Sequence, residues 1–125
     1  MNAITWILVV AGVLLNAAAQ LMLKAATRAT GPIAPNWSGM TEATPQMLTQ
    51  LGWWGGLACY AASVLIWVIA LSRAPVSVIY PMLSIGYILN AIGATFLFGE
   101  TLSETKILGI AVIIAGVWIL TRSPA

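Results

Sequence analysis

Four long runs of almost uncharged apolar residues dominate this chain and leave little choice of fold. They cover about 4–26, 45–72, 76–98 and 102–120, each at or above the roughly 20 residues a helix needs to cross hydrocarbon. A bilayer offers no water to backbone polar groups, so such runs are stable there as helices packed against one another. What remains of the 125 residues is too small for a soluble domain, and only 6% of the chain is charged against 61% hydrophobic. A surface so poor in charge does not stay dispersed in water. The expected architecture is an all-α membrane protein, a single domain over 1–125, folded as a four-transmembrane-helix bundle with one long loop over 27–44. The first run lacks a basic leader and a small-residue cleavage pattern, so it is read as a mature helix and not a signal peptide.

The connections follow from local chemistry. Thr44-Pro45 has the form of an N-cap followed by proline at the first helical position, which sets the start of the second helix. Pro75 closes a tight turn after Arg73, because proline cannot continue the preceding helix. Gly99 suits the residue just past the third helix, and Thr101 to Glu104 has capping-box spacing for the fourth. Pro81 lies inside the third helix and predicts a kink there. Trp6, Trp37, Trp53, Trp54 and Trp118 fall near helix ends, where indoles favour the membrane interface. With four spans, Lys24, Arg28, Lys106, Glu42, Glu100 and Glu104 share one side of the membrane, and Arg73 and Arg122 share the other. Three basic side chains against two barely separate the sides, so charge leaves orientation open and permits an antiparallel or pseudo-symmetric dimer.

Several function classes fall away on composition. There is no histidine and only one cysteine, Cys59, so neither an intrachain disulfide nor a metal site is expected. No nucleophile–base pair stands out, no cofactor is implied, and an enzyme is not expected. A net charge of +2 without a basic run gives no reason to expect nucleic acid as a partner.

Function is sought where the apolar pattern is broken. Asn16, Gln20, Lys24 and Arg28 recur every four residues and form a polar stripe on one face of the first helix. Lys24 and Arg28 can snorkel to headgroups, and Asn16 and Gln20 can hydrogen-bond between helices. Alternatively, the stripe is a cavity wall with a cationic end, suited to a phosphorylated headgroup. On the third helix, Ser77, Tyr80, Ser84, Tyr87 and Asn90 recur at helical spacing and offer a complementary polar wall. Tyr60, Ser63 and Trp67 share a face of the second helix, which either lines a cavity or packs. Gly86 and Gly93 would admit another helix closely. In the fourth helix, Gly109 and Gly116, with Ala111 and Ala115, make a small-residue face read as a dimer-packing element. Glu100 is a solvated loop carboxylate, an ion-pair partner for Lys24, or a proton-coupling group.

These residues resemble the small multidrug resistance branch of the drug/metabolite transporter superfamily, four short helices with a lysine near the end of the first. Nearly the whole chain is covered, except the first loop. Asn16 stands where the exporters carry an essential glutamate, which argues against proton-coupled export of cationic drugs. A closer resemblance is to the small subunits of the aminoarabinose-phosphoundecaprenol flippase, carried by Gln20-Leu-x-x-Lys24-x-Ala26, by Pro75-Val-x-x-x-Tyr80-Pro81-Met-Leu-Ser84, and by an acid at Glu100. That resemblance implies a multi-pass protein of the bacterial inner membrane that moves a polyprenyl-phosphate sugar. On the polar faces of this chain the expected route is alternating access, with the headgroup between the first-helix stripe and the Tyr80–Ser84–Tyr87 face, and Lys24, with Arg28 as a further candidate, meeting the phosphate. The resemblance also implies a heterodimer with a related small subunit, although the even charge balance permits a homodimer. A small-molecule exporter and a non-transporting assembly subunit are the alternatives.

Overall fold

The computed structural model describes residues 2–122. Its helices are α1 (Ala3–Thr27), α2 (Trp37–Leu48), α3 (Leu51–Leu71), α4 (Val76–Ile79), α5 (Leu83–Phe98) and α6 (Glu104–Thr121), with a 3-10 turn over Tyr80–Met82 between α4 and α5. There is no strand among the described residues. Taken with α4 and α5 as one bent span over Val76–Phe98, four helices are long and apolar enough to cross a membrane. The chain is an all-helical, multi-pass membrane protein, as the four apolar runs require.

The expected loop over 27–44, followed by a helix from 45 to 72, is corrected. Two helices, α2 and α3, meet at a break around Thr49 and Gln50. The cap of α2 is Asn36, whose Oδ1 accepts from the Gly39 amide at 2.7 Å. Thr44 is no cap, since its hydroxyl donates to the Met40 carbonyl at 2.7 Å within the helix, and Pro45 sits inside α2. The proline forfeits one backbone bond, which a helix lying outside the membrane spans can replace with water. Trp37, Met40, Ala43 and Met47 repeat at intervals of three and four, opposite Ser38, Thr41, Glu42 and Gln46. That pattern marks an amphipathic surface helix and was hidden under the proline-rich composition of the segment.

The corner between α2 and α3 is held by the Trp54 indole, whose Nε1 donates to the Leu48 carbonyl at 3.0 Å. Trp54→Phe removes that donor and leaves a helix-end carbonyl without it, at a local cost of about 1 kcal/mol. The expected result is faster backbone hydrogen exchange around Met47 to Gln50 with exchange in α1 unchanged. Equal exchange in both proteins would show that the corner does not depend on the indole.

The turn into α6 needs a smaller correction. Ser103, not Thr101, is the cap, and its Oγ accepts from the Lys106 amide at 3.2 Å. Glu104 then opens the helix, where the positive end of the helix dipole favours a carboxylate. The Thr101 carbonyl is taken by Lys106 Nζ at 3.0 Å instead. Gly99 ends α5 with φ of +68°, a conformation that a side chain disfavours.

Helix α1 is the centre of the bundle and packs along α3 on one side and α5 on the other. Glycines set both contacts. A Cβ on Gly52 would lie 2.6 Å from the Met22 carbonyl oxygen, and one on Gly56 would lie 2.8 Å from Leu23 Cγ. On α5, a Cβ on Gly86 would meet Val13 Cγ1 at 3.5 Å and one on Gly93 would meet Leu21 Cδ1 at 2.8 Å. Between helices in lipid, where apolar burial gives no drive, such close backbone approach supplies the attraction. The larger side chains gather toward the other end, where Val9, Val13, Ala70, Ile79 and Met82 form a buried cluster flanked by Trp6 and Trp67. The bend at Pro81 turns Ile79 and Met82 into that cluster.

Helix α6 packs chiefly on α5 and has no buried residue. A Cβ on Gly109 or Gly116 would meet nothing within 4 Å. These two glycines therefore pack against none of the described residues.

Candidate functional site

The polar stripe of α1 opens onto two separate grooves. Near the middle of the helix, Asn16 lines an opening of about 400 Å³ with Gly12, Tyr60, Ser63, Trp67 and Tyr80. Tyr60, Ser63 and Trp67 thus line a cavity, one of the two roles open to that face of α3. Trp67 also packs, because Gly12 leaves room for its ring: a Cβ there would lie 3.1 Å from Trp67 Cε3. Ser63 is buried and its hydroxyl donates to the Tyr60 carbonyl at 2.7 Å, which stills a polar group facing α1. Tyr80 is brought in by the 3-10 turn and remains 64% exposed while its neighbour Ile79 is fully buried. The groove offers an amide and two phenols against an indole wall, a mixture of donors, acceptors and apolar faces.

The cationic end of the stripe faces a second opening, of about 600 Å³, lined by Lys24, Thr27, Arg28, Gly31, Pro32 and Ile33. Gly31, with φ of +68°, turns the chain back over the end of α1. Thr27 is occupied locally, its hydroxyl donating to the Lys24 carbonyl at 2.7 Å. The Lys24 ammonium has no hydrogen-bond or ion-pair partner among the described residues. Arg28 lies over the Phe98 ring at 5.2 Å, a cation–π contact worth about 0.5–1 kcal/mol at an exposed position. This contact brings the ends of α1 and α5 to the same side of the bundle and sets Glu100 nearby. Among the described residues, Lys24 and Glu100 make no ion pair, and Glu100 is an exposed carboxylate.

The remaining polar residues are more dispersed than their spacing implies. Gln20 is exposed on α1 between the two grooves and lines neither. Tyr87 is 53% exposed, and Ser84 is half-buried. Asn90 falls on the Gly86–Gly93 face of α5, and its Oδ1 is buried with no hydrogen-bond partner. Side chains three residues apart on an α-helix drift by about 60° at each step, so Ser84, Tyr87 and Asn90 fan out around α5, and the 3-10 turn before it offsets only Tyr80 from them. Two contributors were missed from sequence: Gly12, and the Gly31 to Ile33 segment. The Gly31-Pro32 pair was the available signal for a turn folding over the helix end.

No protein-family model matches the chain, and no solved structure matches it. The probable 4-amino-4-deoxy-L-arabinose-phosphoundecaprenol flippase subunit ArnE of Pseudomonas savastanoi pv. phaseolicola is 31% identical over 121 residues, covering 94% of this chain and 97% of that protein. The probable subunit ArnF of Pseudomonas aeruginosa is 36% identical over 120 residues, covering 94% of this chain and 85% of that protein. A shorter match reaches 48% identity with the probable ArnF of Shewanella sediminis over 63 residues, spanning 49% of this chain and less than half, 43%, of that relative.

Proposed function

Because the chain belongs to the family of small aminoarabinose-phosphoundecaprenol flippase subunits, we propose that it carries a polyprenyl-phosphate-linked sugar across the bacterial inner membrane by alternating access, and does no bond chemistry of its own. The observation that carries this is Lys24: a cation on a membrane helix, facing an open cleft, with no partner among the described residues. An unpaired charge at such a place is costly unless a ligand or water meets it. A phosphate is the ligand whose charge and hydrogen-bonding oxygens suit an ammonium beside a guanidinium.

The headgroup path follows the stripe. Lys24 and Arg28 hold the phosphate, while the sugar hydroxyls engage Asn16 with Tyr60 and Tyr80. Gln20 stands one turn from each end, so the headgroup advances along α1 in steps of about 6 Å. Ser84, Tyr87, Asn90 and Glu100 belong to the mobile wall that α4 and α5 present to this path. The unpaired Asn90 Oδ1 gives that wall a polar atom to satisfy in another arrangement of α1 and α5. The prenyl tail stays in lipid, so only the polar head needs passage. The working unit is a pair of small subunits, this chain with a related one, and its members rock about the fixed site.

Native mass spectrometry from membranes tests the assembly and the cargo together. The expected result is a two-subunit particle that retains a polyprenyl-phosphate lipid bearing a sugar. A monomer without such lipid would overturn the proposal. The open face at Gly109 and Gly116 is assigned to the pairing contact. Gly116→Leu is accordingly expected to shift the particle to single subunits, by about tenfold in dissociation constant or more. Its thermal stability as a monomer should not fall below that of the parent, because no described residue comes within 4 Å of that position. Retained pairing in Gly116→Leu would remove α6 from the interface.

A further inference from the structure

The cationic cleft has an apolar neighbour. A groove of about 240 Å³ between α2 and the start of α3 is lined by Ile33, Met40, Ala43, Met47, Leu48 and Trp53, among others, with no charged side chain. Ile33 also lines the cleft of Lys24 and Arg28, so the two openings meet along one residue. A smaller polar opening also reaches Ile33, but it holds Glu42. That carboxylate disfavours an anion there and leaves the Lys24–Arg28 side as the anion's seat.

Helix α2 is built for a lipid surface. It is not one of the membrane-spanning helices, and it follows the end of α1 and precedes the start of α3. Trp37 is 82% exposed, and Leu51, the first residue of α3, is 88% exposed. An amphipathic helix at that depth, with an indole at its start, lies in the interfacial plane with its apolar side toward the acyl region. Two methionines in the groove add side chains that adapt to an irregular hydrocarbon.

We infer that the corner of α1, α2 and α3 is a docking site for one phosphate-headed isoprenoid lipid, with its phosphate on Lys24 and Arg28 and the adjoining hydrocarbon in the Ile33–Met40–Met47–Trp53 groove. It rests on Lys24 meeting a phosphate, as proposed above, and adds a seat for the chain beside that phosphate. The charge next to the groove selects the occupant: an uncharged chain gains only the groove, whereas a phosphate-headed chain gains both surfaces. Helix α2 thereby acts as the loading face of the subunit, taking the lipid from the bilayer before the head moves along α1.

The test replaces Met40, which is 56% exposed, with photo-crosslinking benzoylphenylalanine in the otherwise unchanged chain. The protein is reconstituted, with its partner subunit, in phosphatidylcholine vesicles containing a few mole per cent of decaprenyl phosphate. After illumination, decaprenyl phosphate should be enriched among the adducts by about thirtyfold over its share of the vesicle, the scale that two basic side chains supply at a membrane surface. Decaprenol at the same level should show no enrichment, and K24A with R28A should return decaprenyl phosphate to its bulk share. Adducts that mirror the vesicle composition, or equal enrichment of decaprenol, would overturn the docking site. The decaprenol comparison needs no further variant, so it decides the matter even where K24A with R28A fails to fold. Headgroup translocation is measured separately, in vesicles that carry decaprenyl phosphate linked to a sugar. Enrichment without translocation sinks the flippase proposal and leaves the docking site standing; translocation without enrichment does the reverse.

Discussion

Lys24→Ala is expected to slow headgroup translocation by about thirtyfold or more, the consequence of losing a charged contact worth about 2–5 kcal/mol. The measurement is the appearance of the sugar headgroup at the outer surface of liposomes holding the subunit pair. Insertion, pairing and thermal stability should remain those of the parent, because the Lys24 ammonium has no partner among the described residues. The loss therefore reads on the ligand and not on the fold. Lys24→Arg keeps the charge and should recover part of the rate, limited by the different shape of the donor. Arg28→Ala should cost less than Lys24→Ala, since its guanidinium is already engaged on Phe98 at 5.2 Å. Full activity in Lys24→Ala would end the assignment of the phosphate to this cleft.

The second large effect concerns the contact between α1 and α3. Gly52→Ala and Gly56→Ala together should destabilise the folded protein by about 3 kcal/mol or more, since each introduces a carbon where the neighbouring helix already stands. At Gly52 the obstacle is the Met22 carbonyl, 2.6 Å from the new Cβ, and backbone cannot yield as a flexible side chain would. At Gly56 the Leu23 side chain must shift, but the Ala19 carbonyl at 3.2 Å limits how far the helices can adjust. Thermal unfolding in detergent should show a lowered midpoint for the pair of substitutions. Gly109→Ala and Gly116→Ala should not lower the midpoint of the isolated subunit, because both positions are open and alanine favours a helix over glycine. Equal losses in both sets would mean that glycine content matters and close packing does not.

The apolar runs made the spans legible from the start, because hydrocarbon thickness and backbone hydrogen bonding admit so few solutions. The Asn16 to Arg28 stripe was legible for a similar reason: a four-residue repeat of polar side chains stands out on an apolar helix. Its partners were harder to read. Tyr80 reaches the groove of Asn16, while Tyr87 and Asn90, about two and three turns further, do not line it. The proline signalled a bend, but its angle depends on how Ile79 and Met82 pack, which periodicity does not contain. Glycine spacing was similarly ambiguous. Gly109 and Gly116 have the same seven-residue interval as Gly86 and Gly93, yet only the latter pair receives a helix within this chain. Helix α2 was masked because Pro45 carries a strong signal for a helix start, and Asn36, the true cap, lay in a segment dense with glycine and proline.

One feature of α1 has a mechanical consequence. It runs unbroken over 25 residues, and its bulky contacts cluster around Val9 and Val13, whereas farther along it meets α3 through glycines. Such a rod has a fulcrum at one end and a smooth bearing along the rest. From Val13 to Lys24 the lever arm is about 16 Å at the usual helical rise. A tilt of about 10° about that fulcrum would swing the Lys24 backbone by about 3 Å, roughly the length of a hydrogen bond. Asn16, close to the pivot, would hardly move. The cleft of Lys24, where the phosphate is proposed to bind, could thus open and close while the groove of Asn16 stays in place, with no part of α1 having to unwind.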